Sequence, residues 1–157
     1  MRKVSSILSL LICLLLVTTS CNKAKSELQT IVNEGAKECP YDLGIVGQMS
    51  SIVYDQEADE VLMTLSIKEG IPIKLNVMRE MINTLQKTLM SSFAESSSST
   101  KLMKKIAAAD GKVTIVMKDA SGDKLEIPLS ESDVKDIANG NVDSMTAKEY
   151  IDFQIAL

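Results

Sequence analysis

Two acidic runs in this 157-residue chain have the residue types of a cation-binding loop. Asp55, Glu57 and Asp59 alternate as carboxylates do at the start of a calcium loop. The sixth position, however, is Glu60 where a sharp turn needs Gly, and the twelfth is Ser66 where a bidentate Glu is needed. Asp119, Ser121 and Asp123 fail in the same way, with Lys124 sixth and Ser130 twelfth. Both runs are expected as solvated turn tips without metal. Lys101, Lys104 and Lys105 follow a serine run. A Ser–Lys pair can perform nucleophilic catalysis without His or Asp, but only if the lysine is desolvated. These three fall on the wet side of an amphipathic helix, as a solvated face or one that touches anionic headgroups. Gly44 and Gly47 flank Ile45 and Val46, but the strand, Gly-rich loop and helix of a phosphate cradle are missing. The chain has no His, so the usual general base and the commonest metal ligand are gone. The expectation is a protein that is not an enzyme, with no catalytic residue, metal or cofactor. A carboxylate-dependent enzyme and a small-ligand carrier are the alternatives, since paired Asp/Glu chemistry needs no His.

The strongest chemical signal is Cys21. Met1-Arg2-Lys3 is a short positive segment, Ile7 to Val17 an apolar run broken by Ser9, and Thr18, Thr19 and Ser20 a small-residue stretch. Those are the marks of a secretory signal, here residues 1–20. The apolar run is too short for a membrane span, which needs about 20 residues. Val17-Thr18-Thr19-Ser20-Cys21 resembles the lipobox of bacterial lipoproteins. It departs from the usual box in having Thr18 where Leu, Val or Ile stands, a looseness common in Bacteroidota. The resemblance implies a diacylglyceryl group on the Cys21 sulfur, cleavage before Cys21 and acylation of the new amine. Two or more acyl chains anchor firmly where one holds only marginally. Asn22-Lys23-Ala24-Lys25-Ser26 follows. Surface-exported Bacteroidota lipoproteins tend to carry an acidic cluster there, so the lysines imply an outer-membrane position facing the periplasm. Cys13 leaves with the signal, and Cys39 remains as a lone thiol, expected to be buried.

Residues 21–157 are enough for one domain with its own core. Residues 1–20 hold two of the 17 basic residues and none of the 21 acidic ones, so the remainder carries a charge of −6. That disfavours nucleic acid as a partner. The partners expected are the lipid bilayer, through acylated Cys21, and a protein of the cell envelope.

The elements that must position these residues follow from periodicity. Ser26 is expected to cap a helix to about Lys37, which Cys39-Pro40 ends. Gln48 to Tyr54 and Val61 to Lys68 read as strands around the polar loop Asp55 to Glu60. Asn76 opens the longest helix, with Met78, Met81, Ile82, Leu85, Leu89 and Phe93 as its apolar stripe. Glu95 to Thr100 reads as a polar break, and Lys101 to Ala109 as a further helix. Val113 to Lys118 and Lys124 to Leu129 form a second hairpin, with Pro128 at an edge. Ser130 with Asp133 and Thr146 with Glu149 cap two closing helices. The fold class is α+β: a four-stranded antiparallel sheet made of two hairpins, with the long amphipathic helix on one face.

Asn33-Glu34-Gly35-Ala36-Lys37-Glu38-Cys39-Pro40-Tyr41-Asp42, Ser51-Ile52-Val53-Tyr54 and the Lys101 to Asp133 region are similar to small exported bacterial proteins. Those proteins have an Asn…Pro start, a hairpin, a central helix and a second hairpin. The resemblance covers most of the chain by order of elements and sparse residues. It implies the fold and an exported life, and no catalytic residue. The function expected is a membrane-anchored, non-catalytic interaction module of the envelope.

Overall fold

The computed structural model describes residues 22–44, 47–70 and 75–142. Residues 1–21, with the signal and Cys21, and the Thr146 capping box lie outside the described residues.

The period-two runs form one sheet in the order β1 (Tyr41–Asp42), β2 (Gly47–Asp55), β3 (Glu60–Ile67), β4 (Lys112–Lys118) and β5 (Lys124–Leu129). Both expected hairpins are present, β2 with β3 and β4 with β5. The sheet is nevertheless five-stranded and mixed, not four-stranded and antiparallel. β1 adds a two-residue edge, Tyr41 opposite Met49 and Asp42 opposite Gln48. The hairpins join through a parallel pair, β3 with β4, in register from Glu60 opposite Lys112 to Ser66 opposite Lys118. Parallel neighbours need a crossover of a dozen or more residues, and the segment between β3 and β4 supplies one. Alternation tells which side chains face the core; it does not tell which way a neighbouring strand runs.

Register stacks the inward residues into rows. Tyr54, Val61, Val113 and Leu129 form one, and Ile52, Met63, Ile115 and Ile127 the next. All eight are buried. Each such side chain contributes about 1.5–3 kcal/mol by leaving water. β5 is a sheet edge, where the missing N–H of Pro128 removes no ladder bond. Its carbonyls are also covered: Gln86 donates to the Pro128 carbonyl at 3.0 Å, and Arg79 to the Lys124 carbonyl at 2.9 Å.

Among the described residues five helices supply the other layer. α1 covers residues 22–37, so Ser26 lies inside it and does not cap it. Leu28 and Val32 are its core residues. It ends before Cys39-Pro40, a cis peptide bond. The expected long helix is two: α2 (Leu75–Glu80) and α3 (Ile82–Glu95), broken at Met81. Met78 and Leu85 of its stripe are buried, while Ile82, Leu89 and Phe93 are partly buried. The serine run is not a break. Ser96 caps α4 (Ser97–Ala108), accepting from the Ser99 N–H. The helix therefore starts four residues before Lys101, because a cap stabilises a start by about 1 kcal/mol and serine costs less than that per residue inside. Thr100 donates back to the Ser96 carbonyl at 2.9 Å. α5 (Glu131–Asn139) has the capping box expected at Ser130 and Asp133, and Gly140 in the left-handed conformation closes it. Met103 and Ile106 of α4 and Val134 and Ile137 of α5 complete the core.

Gly47 sets how closely β2 and β3 meet. Its φ is +154°, and a Cβ there would stand 2.1 Å from the Ser66 carbonyl oxygen. Gly47→Ala must displace the backbone of β3. The expected outcome is a loss of about 2 kcal/mol or more in denaturant unfolding, the range of strained-backbone defects. An unchanged midpoint would show that the strands do not approach this way.

Candidate functional site

The β2–β3 turn uses its carboxylates internally. Asp55 Oδ1 accepts from the Glu57 and Ala58 N–H groups, at 2.9 and 3.1 Å. Asp59 receives the Lys25 ammonium of α1 at 2.7 Å and the Tyr54 hydroxyl at 3.0 Å. The Lys25 hydrogen bond is the main reason its carboxyl stays below the ordinary value of 3.8, with the Tyr54 bond adding to it. Asp59 also holds φ at +50°, which Asp and Asn tolerate better than other side chains bearing a Cβ. The second acidic run behaves alike. Asp119 Oδ1 accepts from the N–H of Ser121, the hydroxyl of Ser121 and the N–H of Asp123, at 2.9, 2.6 and 3.0 Å. The Ser121 hydroxyl is the largest cause of its lowered pKa. Among the described residues no group of three His, Cys, Asp or Glu side chains converges as a metal site would need.

The lysines and serines of α4 do not form pairs. Ser96 Oγ lies 3.1 Å from Ser98 Oγ and accepts from the Ser99 hydroxyl at 3.1 Å. Lys105 reaches Glu27 of α1 at 2.8 Å. That hydrogen bond is the main cause of a lowered Glu27 pKa. Lys101 and Lys104 are exposed, with no carboxylate within 4 Å among the described residues. What the sequence did not show is the groove these lysines border. It is an open depression of about 400 Å³ between α1 and α4, lined by Ile31, Ser98, Leu102 and the three lysines. A signal for it was available: Ile31 and Leu102 are the apolar positions of their helices nearest the polar faces. A second depression, of about 500 Å³, lies between Arg79, Ile82 and the Lys124–Glu126 segment.

Cys39 is half-buried against the core, its thiol 3.7 Å from the Gly35 carbonyl. Gly44 closes a turn at φ +77°, and its N–H donates to Asp42. Cys21 lies outside the described residues, and α1 begins at the next position.

The Lys25–Asp59 contact ties α1 to the turn, and its pH dependence has a definite sign. The folded carboxyl is lowered, so its contribution is complete above the ordinary value of 3.8 and is lost as pH falls through the lower folded value. Both side chains are about one-third exposed, which limits the pair to roughly 0.5–1 kcal/mol. Asp59→Asn keeps the backbone conformation and loses the charge. Thermal unfolding at neutral pH is expected to show the variant less stable by that amount, with the gap closing below about pH 4. A gap of equal size at both pH values would contradict the assignment.

No protein-family profile matches the chain, and no curated protein matches it. Among solved structures it is similar to the pilotin EpsS of the type 2 secretion system of Vibrio vulnificus. The likeness has a TM-score of 0.54 at 9% identity, and covers 74% of this chain and 96% of the pilotin. It is also similar to a Pseudomonas aeruginosa protein described as secreted, with a TM-score of 0.53 at 9% identity. That match covers 73% of this chain and 96% of the other. At this identity the likeness establishes a shared α+β fold.

Proposed function

We propose that the chain is a lipid-anchored, non-catalytic module of the bacterial envelope, held at the periplasmic face of the outer membrane by acylated Cys21, and that it acts by binding another envelope protein. The observation that carries the reading is the fold it shares with a secretion-system pilotin over nearly all of that protein. The export signal and lipobox resemblance of residues 1–21 lend it independent support. So does the internal use of side-chain groups, since Asp55, Asp119 and the serine cluster make their bonds within their own segments. A surface that spends its polar groups on its own turns presents shape and charge to a partner, and recognition by shape and charge needs no reactive group.

The anchor and the binding are tested separately. Fractionation of cells that express Cys21→Ala is expected to move the protein from the membrane to the soluble fraction, because loss of acyl chains removes about 0.8 kcal/mol per buried methylene. Retention in the membrane, or an intact mass without acyl groups for the native chain, would overturn the anchor. The native protein, photo-crosslinked from Glu57 or Ser121 at the two hairpin tips, is expected to join one envelope protein in fixed stoichiometry. A chain that stays monomeric at both tips in its own envelope would overturn the module reading.

A further inference from the structure

The face shared by α1 and α4 carries charge out of keeping with the rest of the molecule. The chain is acidic, at −4, yet α4 holds Lys101, Lys104 and Lys105 and no acidic residue. The two helices run antiparallel along their contact. Glu27 meets Lys105, and Ile31, one turn further along α1, shares the groove with Leu102, Lys101 and Ser98. Lys105 therefore stands beside the first half of α1, the half next to Cys21, and Lys101 shares the groove with Ile31 past the helix midpoint. Glu27, the acid of that half, is matched by Lys105, and Lys25 is matched by Asp59. Glu34 and Glu38 stand toward the far end of α1. Exposed Lys101 and Lys104 remain as positive charge around an apolar floor of Ile31 and Leu102, and exposed Lys23 stands at the start of α1. Apolar stems over an apolar floor, with ammonium groups at the rim, are how side chains sit at a membrane interface.

We propose that this face is a membrane-orienting surface that lies against anionic phospholipid headgroups, and so fixes how the tethered domain sits on its bilayer. The proposal rests on the acylation of Cys21. Ile31 is about 14 Å along α1 from its first residue at 1.5 Å per residue, and Lys101 lines the groove with it. A body tethered at residue 21 brings all three lysines to the headgroups only if α1 lies along the surface and does not stand on it. Lys118 belongs to the opposite face of the sheet, alternating with buried Met117, and becomes the side that looks away. A lysine near an anionic surface gains attraction that acts within a Debye length, so three of them can orient a domain that the acyl chains already hold. The unmatched charge of this face is positive, and its groove runs along the helix that begins at residue 22, which is why the bilayer is the occupant argued for.

The test uses the full acylated protein on vesicles of phosphatidylcholine, alone or with about 30% phosphatidylglycerol to supply the anionic surface. Flotation on the neutral vesicles reads the anchor, and a chain that does not float there refutes acylation. With the chain afloat, a water-soluble amine reagent is applied and each lysine is read by peptide mass spectrometry. Labelling of Lys23, Lys101 and Lys104 is expected to fall roughly fivefold on the anionic vesicles and to recover in about 0.5 M salt, with Lys118 unchanged. Equal labelling on both vesicle types overturns the orientation and leaves the groove to a protein partner. Lys101→Glu with Lys104→Glu removes exposed groups that hold nothing in the fold. Protection of Lys105 that persists in that double variant on anionic vesicles would also overturn it.

Discussion

The parallel contact between β3 and β4 is the constraint on which the molecule depends. Two hairpins could lie side by side in several ways. This one is locked where the β2–β3 turn meets the start of β4. The Lys112 N–H donates to the Asp59 carbonyl at 2.9 Å, while the Asp59 carboxylate holds Lys25 and the Tyr54 hydroxyl. Gly111 permits the approach: a Cβ there would stand 3.1 Å from the Asp59 carbonyl oxygen and 3.0 Å from Ile106 Cγ2. One aspartate thus joins α1, β2 and β4, and the end of α4 is pressed against the same point. The helices between the hairpins must then return to this end of the sheet, which sets α4 beside α1 and creates their shared groove.

Much of this was legible in the residues. Strand alternation at Val61, Met63, Val113, Ile115, Leu125 and Ile127 marked the inner face correctly, and all are buried. The Ser130 box and Gly140 marked both ends of α5 because capping is a local interaction, complete within a few residues. What failed was non-local. The direction of β4 relative to β3 depends on where a crossover of three helices delivers the chain, and no short window contains that. β1 was missed because a two-residue strand has no period to detect. Met81 interrupts an apolar pattern that continues through it, so spacing alone read α2 and α3 as one helix.

The serine run shows the competition between propensity and capping in small compass. Ser, Ser, Ser and Thr are weak helix formers, and as a composition they read as loop. Ser96 satisfies a free N–H of the first turn, and the Thr100 hydroxyl also reaches the Phe93 carbonyl at the end of α3, at 3.2 Å. Those two bonds turn α3 into α4 with one intervening residue, and tertiary burial of Met103 and Ile106 holds the result. The extra turn carries Ser98 to the groove, so a feature of the site follows from a cap rather than from any reactive group.

The same logic bears on how such a body would use an anchor. A flexible tether of n residues spreads its ends over about 5–6 Å times the square root of n, and a domain on a long tether samples every orientation. Here α1 is helical from residue 22, and Leu28 and Val32 are fixed in the core. On the proposed reading there is no slack between the lipid and the fold. A membrane attachment at residue 21 then constrains the end of a rigid element, leaving chiefly the tilt and roll of the body to be set. Tilt and roll are governed by whichever side-chain groups stand beside that end. The sequence places Lys23 and Lys25 there, and the crossover dictated by the parallel pair brings Lys105 against Glu27 in the same half of α1.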